Sequence, residues 1–161
     1  MCAAFINLNI VSYVLSSRYF IACIFLTILC ATPHTFADDL TKDLIKAIMT
    51  GDNAGIDAVL GKGVDVNAKT GKGVTPLMLA SLQGNLSAVN SLLSKGASLS
   101  DQDASGLTAL MAAAKLGHLE VVKVLVSKGA DTKSRSQTGK TALELAKEAG
   151  KSDVEAFLQG K

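Results

Sequence analysis

One feature limits what this chain can fold into: a segment stated twice, 33 residues apart, with no gap. Gly73-Val74-Thr75-Pro76-Leu77 returns as Gly106-Leu107-Thr108-Ala109-Leu110. Ala80 returns as Ala113, Gly84 as Gly117, and Gly96-Ala97 as Gly129-Ala130. Leu86, Val89, Leu92 and Leu93 return as Leu119, Val122, Leu125 and Val126. A fixed period of this length marks a stack of small supersecondary units, each in contact only with its neighbours.

Each unit has a physical logic. Thr75 is a good N-cap, because its hydroxyl accepts from a free amide of the first turn. Pro76 then falls at the first helical position, where no hydrogen bond is lost. Leu77 and Ala80, three residues apart, share a face. Gly84 suits the left-handed residue that closes a helix. Asn85 opens a second helix, whose apolar stripe is Leu86, Val89, Leu92 and Leu93, and Gly96 ends it. Two short antiparallel helices and a turn-rich connection follow. One such pair cannot bury both its faces, but stacking on a copy of itself does so.

These residues resemble an ankyrin repeat. The resemblance is carried by Gly73–Leu77, Gly106–Leu110, the Gly-His-Leu-Glu-Val-Val run from Gly117 to Val122, and Gly129-Ala130-Asp131. It implies an all-α fold, an ankyrin-repeat solenoid of about four helix–turn–helix repeats with short hairpin-like connecting loops. The repeats fall at about 39–68, 69–101, 102–134 and 135–158, within a domain spanning 38–161. The first is degenerate: Leu44, Ala47, Gly51 and Gly63 keep the register, and Lys42-Asp43 stands where Thr-Pro is expected. Its apolar face is Ile45, Ile48, Ile56, Val59 and Leu60. In the last repeat, Thr141 and Glu144 form a capping box. Charged residues on both end repeats suit them to be polar caps. In one respect the chain departs from the family. The His that follows Thr-Pro-Leu and ties repeats together is replaced by Met78, Met111 and Glu144, so the polar network between repeats is expected to be weaker.

Residues 1–37 differ from everything after them. They hold one basic residue, Arg18, and no acidic one. The 13 mostly apolar residues Tyr19–Ala31 follow Arg18, and Thr35-Phe36-Ala37 precedes Asp38-Asp39. A basic residue, an apolar run and a small-x-small close are the pattern of a secretory signal, cut after Ala37. The alternative is a retained membrane anchor. Thirteen residues span only about 20 Å as a helix, short of the ~30 Å hydrocarbon core. Export to a bacterial periplasm or to the outside is therefore expected, with membrane attachment only if the leader is kept. Cys2, Cys23 and Cys30 all lie in the leader, so the chain after it can form neither a disulfide nor a thiolate site. Removing Arg18 from the 16 basic residues leaves 15 against 14 acidic, a charge of about +1 that does not suit a dedicated nucleic-acid binder.

Nothing in the repeats points to catalysis. His118 is the one histidine after the leader, with no second His or Cys to complete a metal or catalytic site. It reads as a helix-start residue. There is no Gly-x-x-x-x-Gly-Lys-Ser/Thr phosphate-binding loop and no Gly-x-Ser-x-Gly elbow. Asn85-Leu86-Ser87 matches a glycosylation sequon but reads as an N-cap followed by a core leucine. The expectation is a non-enzymatic chain with no cofactor and no metal.

What remains is surface. In the family, partners bind the concave side, built from the connecting loops and the first helix of each pair. Position by position, the resemblance assigns Lys69, Lys72, Val74, Leu82 and Gln83 in the second repeat. In the third it assigns Gln102, Ser105, Leu107, Lys115 and Leu116, with Ala104 beside them. In the last it assigns Arg135, Gln137, Thr138 and Lys140. Five of these are basic and none is acidic, which favours another protein with an acidic surface as the partner. A solvated face without preference is an equal alternative, since lysine is common on any soluble surface. A membrane-tethered scaffold and a secreted effector that binds host proteins are the other functional classes open to such a chain.

Overall fold

Threonine fixes where the inner helices begin. The Oγ of Thr75, Thr108 and Thr141 accepts from the amides of Met78, Met111 and Glu144, each at 3.3 Å. Such a cap contributes about 1 kcal/mol. The computed structural model describes the backbone from His34 and the side chains from Asp39 through to Lys161. The chain divides between Thr35 and Phe36, and the unit from Phe36 to Lys161 holds the repeats. The apolar run Tyr19–Ala31 and all three cysteines lie outside the described residues. Among the described residues there are eight helices and no strand: α1 (His34–Thr50), α2 (Asn53–Gly61), α3 (Pro76–Gln83), α4 (Leu86–Ser94), α5 (Ala109–Leu116), α6 (Leu119–Ser127), α7 (Ala142–Glu148) and α8 (Ser152–Gln159).

Odd-numbered helices form an inner layer and even-numbered helices an outer one. Only Gly84-Asn85 separates α3 from α4, and Gly117-His118 separates α5 from α6. Both glycines are left-handed, at φ 70° and 85°, so each chain end turns back on itself at once. Helix α1 differs from the other inner helices. It runs 17 residues, straight through Lys42-Asp43, where the other repeats have a turn and a cap. The expected cut after Ala37 falls inside it.

The core is a set of columns at the repeat period. Ala80, Ala113 and Ala146 are fully buried between inner helices, and their small size lets α3, α5 and α7 pack closely in file. The outer helices meet less closely. That difference is what a concave inner layer requires. Leu77 and Leu110 are each 1% exposed, whereas Leu143, in the same column but at the open end, is only half-buried. Each neighbour therefore covers the leucine of the repeat before it. The outer-helix stripe is shifted from the one expected. Leu86 is exposed and Leu119 half-buried, while Ala88 and Val121 turn inward beside Val89, Val122, Leu92 and Leu125. Ile45 is half-buried, whereas Ile48, Ile56, Val59 and Leu60 are in the core.

The connecting loops are three matching fingers. In each, a residue at one position donates its amide to the carbonyl four residues on: Thr70 to Val74 at 3.0 Å, Asp103 to Leu107 at 3.1 Å, Ser136 to Lys140 at 2.9 Å. The side-chain oxygens of Thr70, Asp103 and Ser136 accept the returning amides of the same partners. Neighbouring fingers are tied by backbone bonds, Ala104 N–H to Lys72 O at 2.9 Å and Gln137 N–H to Ser105 O at 3.0 Å. Gly106 is required twice over at this contact. Its φ is +73°, and a Cβ there would lie 2.6 Å from the Gln137 nitrogen.

The expected weakness between repeats is relocated rather than simply present. Met78 and Met111 are buried and supply apolar packing where the family's histidine is missing. Polar ties appear instead at the other end of the inner helices. Gln83 Nε2 donates to Met49 O at 3.3 Å, Asn85 Nδ2 to Asn53 Oδ1 at 2.9 Å, and His118 Nε2 lies 3.0 Å from Leu82 O. His118 stands at the cap position of α6 but makes no cap bond; its ring lies over Gly84, where a Cβ would collide with it. Asn85 does cap α4, through Ala88 N at 3.1 Å. Its side-chain amide is thus engaged on both sides, as the N-cap reading of the sequon requires.

One core atom is out of keeping. Ser81 is fully buried, and its hydroxyl has no hydrogen-bond partner; Ile48 and Ala114 hold the equivalent positions. A buried unsatisfied hydroxyl carries its full desolvation cost. Ser81→Ala is expected to raise stability by about 1 kcal/mol in urea titration. Leu110→Ala, which opens a void between two repeats, is expected to lower it by about 2–5 kcal/mol. A loss below about 1 kcal/mol would place Leu110 outside the core.

Candidate partner-binding face

Of the residues that sequence assigned to the concave side, none is buried: each is exposed or half-buried. They come from two structural sources. The fingers carry Lys69, Lys72, Val74, Gln102, Ser105, Leu107, Arg135, Gln137, Thr138 and Lys140. The last turns of α3 and α5 carry Leu82, Gln83, Lys115 and Leu116.

Five of them meet in one groove. Ser105, Leu107, Lys115, Thr138 and Lys140 line it with Ser136, Leu145, Glu148 and Ala149, around a volume of ≈ 470 Å³. Its lining mixes the apolar Leu107, Leu145 and Ala149 with hydroxyls and charge. Leu145, Glu148 and Ser136 were not among the sequence candidates. Glu148 stands one repeat after Lys115 in the same column, and stepping the period forward from Lys115 would have found it.

Other candidates are occupied in holding the stack together. Gln102 Nε2 donates to Arg135 O at 3.4 Å, and Gln83 is the tie to Met49 already described. The charge count changes too. The basic residues are not free of acids, as sequence suggested. Lys69 pairs with Asp101 at 2.9 Å, Lys140 with Glu148 at 2.6 Å, and Arg135 lies 3.8 Å from Glu144. Arg135 also donates to Gly139 O at 2.6 Å. Exposed pairs of this kind contribute about 0–1 kcal/mol each, but they offset much of the expected positive field. Lys72 and Lys115 have no carboxylate within ion-pair distance among the described residues.

Exposed apolar side chains are concentrated at one edge. Among the described residues the large ones are Met49 (65% exposed), Leu116 (44%), Leu82 (39%) and Leu86. The first three end inner helices, and Leu86 begins α4 just across the turn. Sequence reasoning named Leu82 and Leu116 and missed Met49, although Met49 is Leu82 stepped back by one period.

The ankyrin-repeat model, which describes three copies of the repeat, matches the chain over residues 1–103, 44–136 and 99–161. The chain belongs to the ankyrin-repeat family. Ankyrin repeats are in general protein-interaction modules, so the stack is a scaffold for binding other proteins. No curated protein matches the chain. Among the described residues of this ankyrin domain, no group of three or more His, Cys, Asp and Glu is placed to hold a metal ion, and no helix is long and apolar enough to cross a membrane.

The last ankyrin repeat anchors its finger through Glu144. This carboxylate accepts from the Thr141 amide at 2.7 Å and from the Thr141 hydroxyl at 3.1 Å. Those bonds, helped by Arg135 and Lys140, hold its pKa below the ordinary 4.5. A carboxyl with a depressed folded pKa stabilises the fold above its unfolded value and ceases to do so as pH falls through the folded one. The stabilisation by Glu144 is therefore complete above about pH 4.5 and lost on further acidification. Melting temperature followed against pH should fall less steeply below that point in Glu144→Gln than in the parent chain; identical acid limbs would exclude the contribution.

Proposed function

We propose that this chain is an exported, non-catalytic ankyrin module that holds one protein partner on its concave face. The observation that carries the reading is the groove between the third and fourth repeats. It brings Ser105, Leu107 and Lys115 together with Thr138 and Lys140, residues more than 20 positions apart, on the side where the inner helices are exposed. The groove combines apolar side chains, hydroxyls and charge, which suits recognition of a peptide surface. Outside the groove, His118, Glu144 and Asp103 are engaged in ties, caps and turns, which argues for a structural use of these groups. Export rests on the leader: a basic residue, a short apolar run and Thr35-Phe36-Ala37 ahead of Asp38. The same leader, if retained, would make the chain a membrane-tethered scaffold. Release from the producing cell would make it an effector.

The test is photo-crosslinking in the native cell. A crosslinker replaces Gln137, exposed on a finger, and in a control replaces Asp57, exposed on α2. A discrete protein adduct at Gln137 alone is expected. Equal adducts at both sites, or none, would remove the concave-face reading. The mass of the recovered chain reports in the same experiment whether the leader has been cut.

A further inference from the structure

The three methionines of the repeats, Met49, Met78 and Met111, stand in two kinds of setting. Met78 and Met111 are 3% and 1% exposed and belong to the core. Met49 is 65% exposed, more than any other large apolar side chain among the described residues. It ends α1, in the column that continues as Leu82, Lys115 and Glu148 at the ends of α3, α5 and α7. The fold does not require an apolar residue at this position, since the third and fourth repeats place exposed charges there.

A thioether held in solvent differs from leucine in its chemistry. Its sulfur attacks a peroxide: an S–O bond forms, the O–O bond breaks, and the second oxygen leaves as water. Sulfur is oxidised and the peroxide reduced, and the product is a polar sulfoxide. At Met49 the stack can accommodate that change. The side chain stands outside the core, the neighbouring Ala47 and Ile48 are inside it, and Gln83 Nε2 holds the Met49 carbonyl at 3.3 Å. At Met78 or Met111 a sulfoxide would bury an unpaired acceptor, which is costly. We propose that Met49 is an oxidation site for peroxide-class oxidants, and that its oxidation turns the first repeat's end of the concave face from apolar to polar while the stack stays folded. The effect on binding rests on the concave-face reading above. The selectivity for Met49 and the survival of the fold do not.

The full chain is treated with hydrogen peroxide under native conditions and digested with trypsin. The three methionines fall on separate peptides, residues 47–62, 73–95 and 96–115. The first peptide is expected to gain an oxygen on the order of tenfold faster than the other two, whose sulfurs are reached only when the repeats open. Equal rates, or a slower first peptide, would overturn the site. The melting temperature of the chain oxidised at Met49 alone is expected to match that of the untreated chain. A drop that peroxide-treated Met49→Leu does not share would overturn the survival of the fold. For the effect on binding, a photo-crosslinker replaces Thr50, exposed beside Met49, in the native cell. A protein adduct that peroxide abolishes in the parent chain and spares in Met49→Leu is expected. An adduct that survives peroxide in the parent, or an adduct at Gln137 with none at Thr50, removes the effect on binding and leaves the concave-face reading standing. Absence of adducts at both positions removes that reading and the effect on binding together, and the peptide masses still decide the oxidation site.

Discussion

Burial by a neighbour is the interaction on which the rest of this structure depends. No repeat closes its own core. Leu77 is covered because α5 packs beside α3, and Leu110 because α7 packs beside α5. Leu143, the same residue in the same local setting but with no further inner helix beside it among the described residues, is half-buried. The alanine column at 80, 113 and 146 determines how near the helices come, and the backbone bonds between fingers set their stagger. Since each covered leucine stabilises by about 1.5–3 kcal/mol, and only when its neighbour is in place, stability is shared across interfaces and does not reside in any single helix pair.

This explains what could be read from the sequence and what could not. Caps, left-handed glycines and helix lengths follow from residues within four positions of one another. Thr75, Pro76, Gly84, Asn85 and the Thr141–Glu144 box all stand where local chemistry requires them. The 33-residue offset then carried the core columns from one repeat to the next. The outer-helix stripe was misread at Leu86 because a helix of nine residues offers two overlapping apolar faces, and the choice between them is made by the helix next door. Ala88 is smaller than Leu86, and it is the one that fits against a neighbour.

The candidate face was less legible for the same reason. Which residues are exposed there could be carried over from the family pattern, but which charges neutralise each other could not. Lys69 meets Asp101 across 32 positions and Arg135 meets Glu144 across nine, through the return of a finger. His118 looked like a local cap and is instead a contact between repeats, replacing the histidine tie that the inner-helix starts lack. Side chains that reach across the period leave no mark on local spacing.

Helix α1 has a consequence for how such a chain can grow. Where every later repeat opens with a finger, α1 is helical from His34 through to the first turn. A further repeat placed ahead of it would find no finger to bond to. At the other end, Leu143 and the last finger present the same surface that earlier repeats use for their successors. The stack is therefore directional in an evolutionary sense. Duplication of a 33-residue unit is readily absorbed behind α8 or between the two internal repeats, but not before α1, so lineages descended from such a chain should lengthen from the interior or the tail.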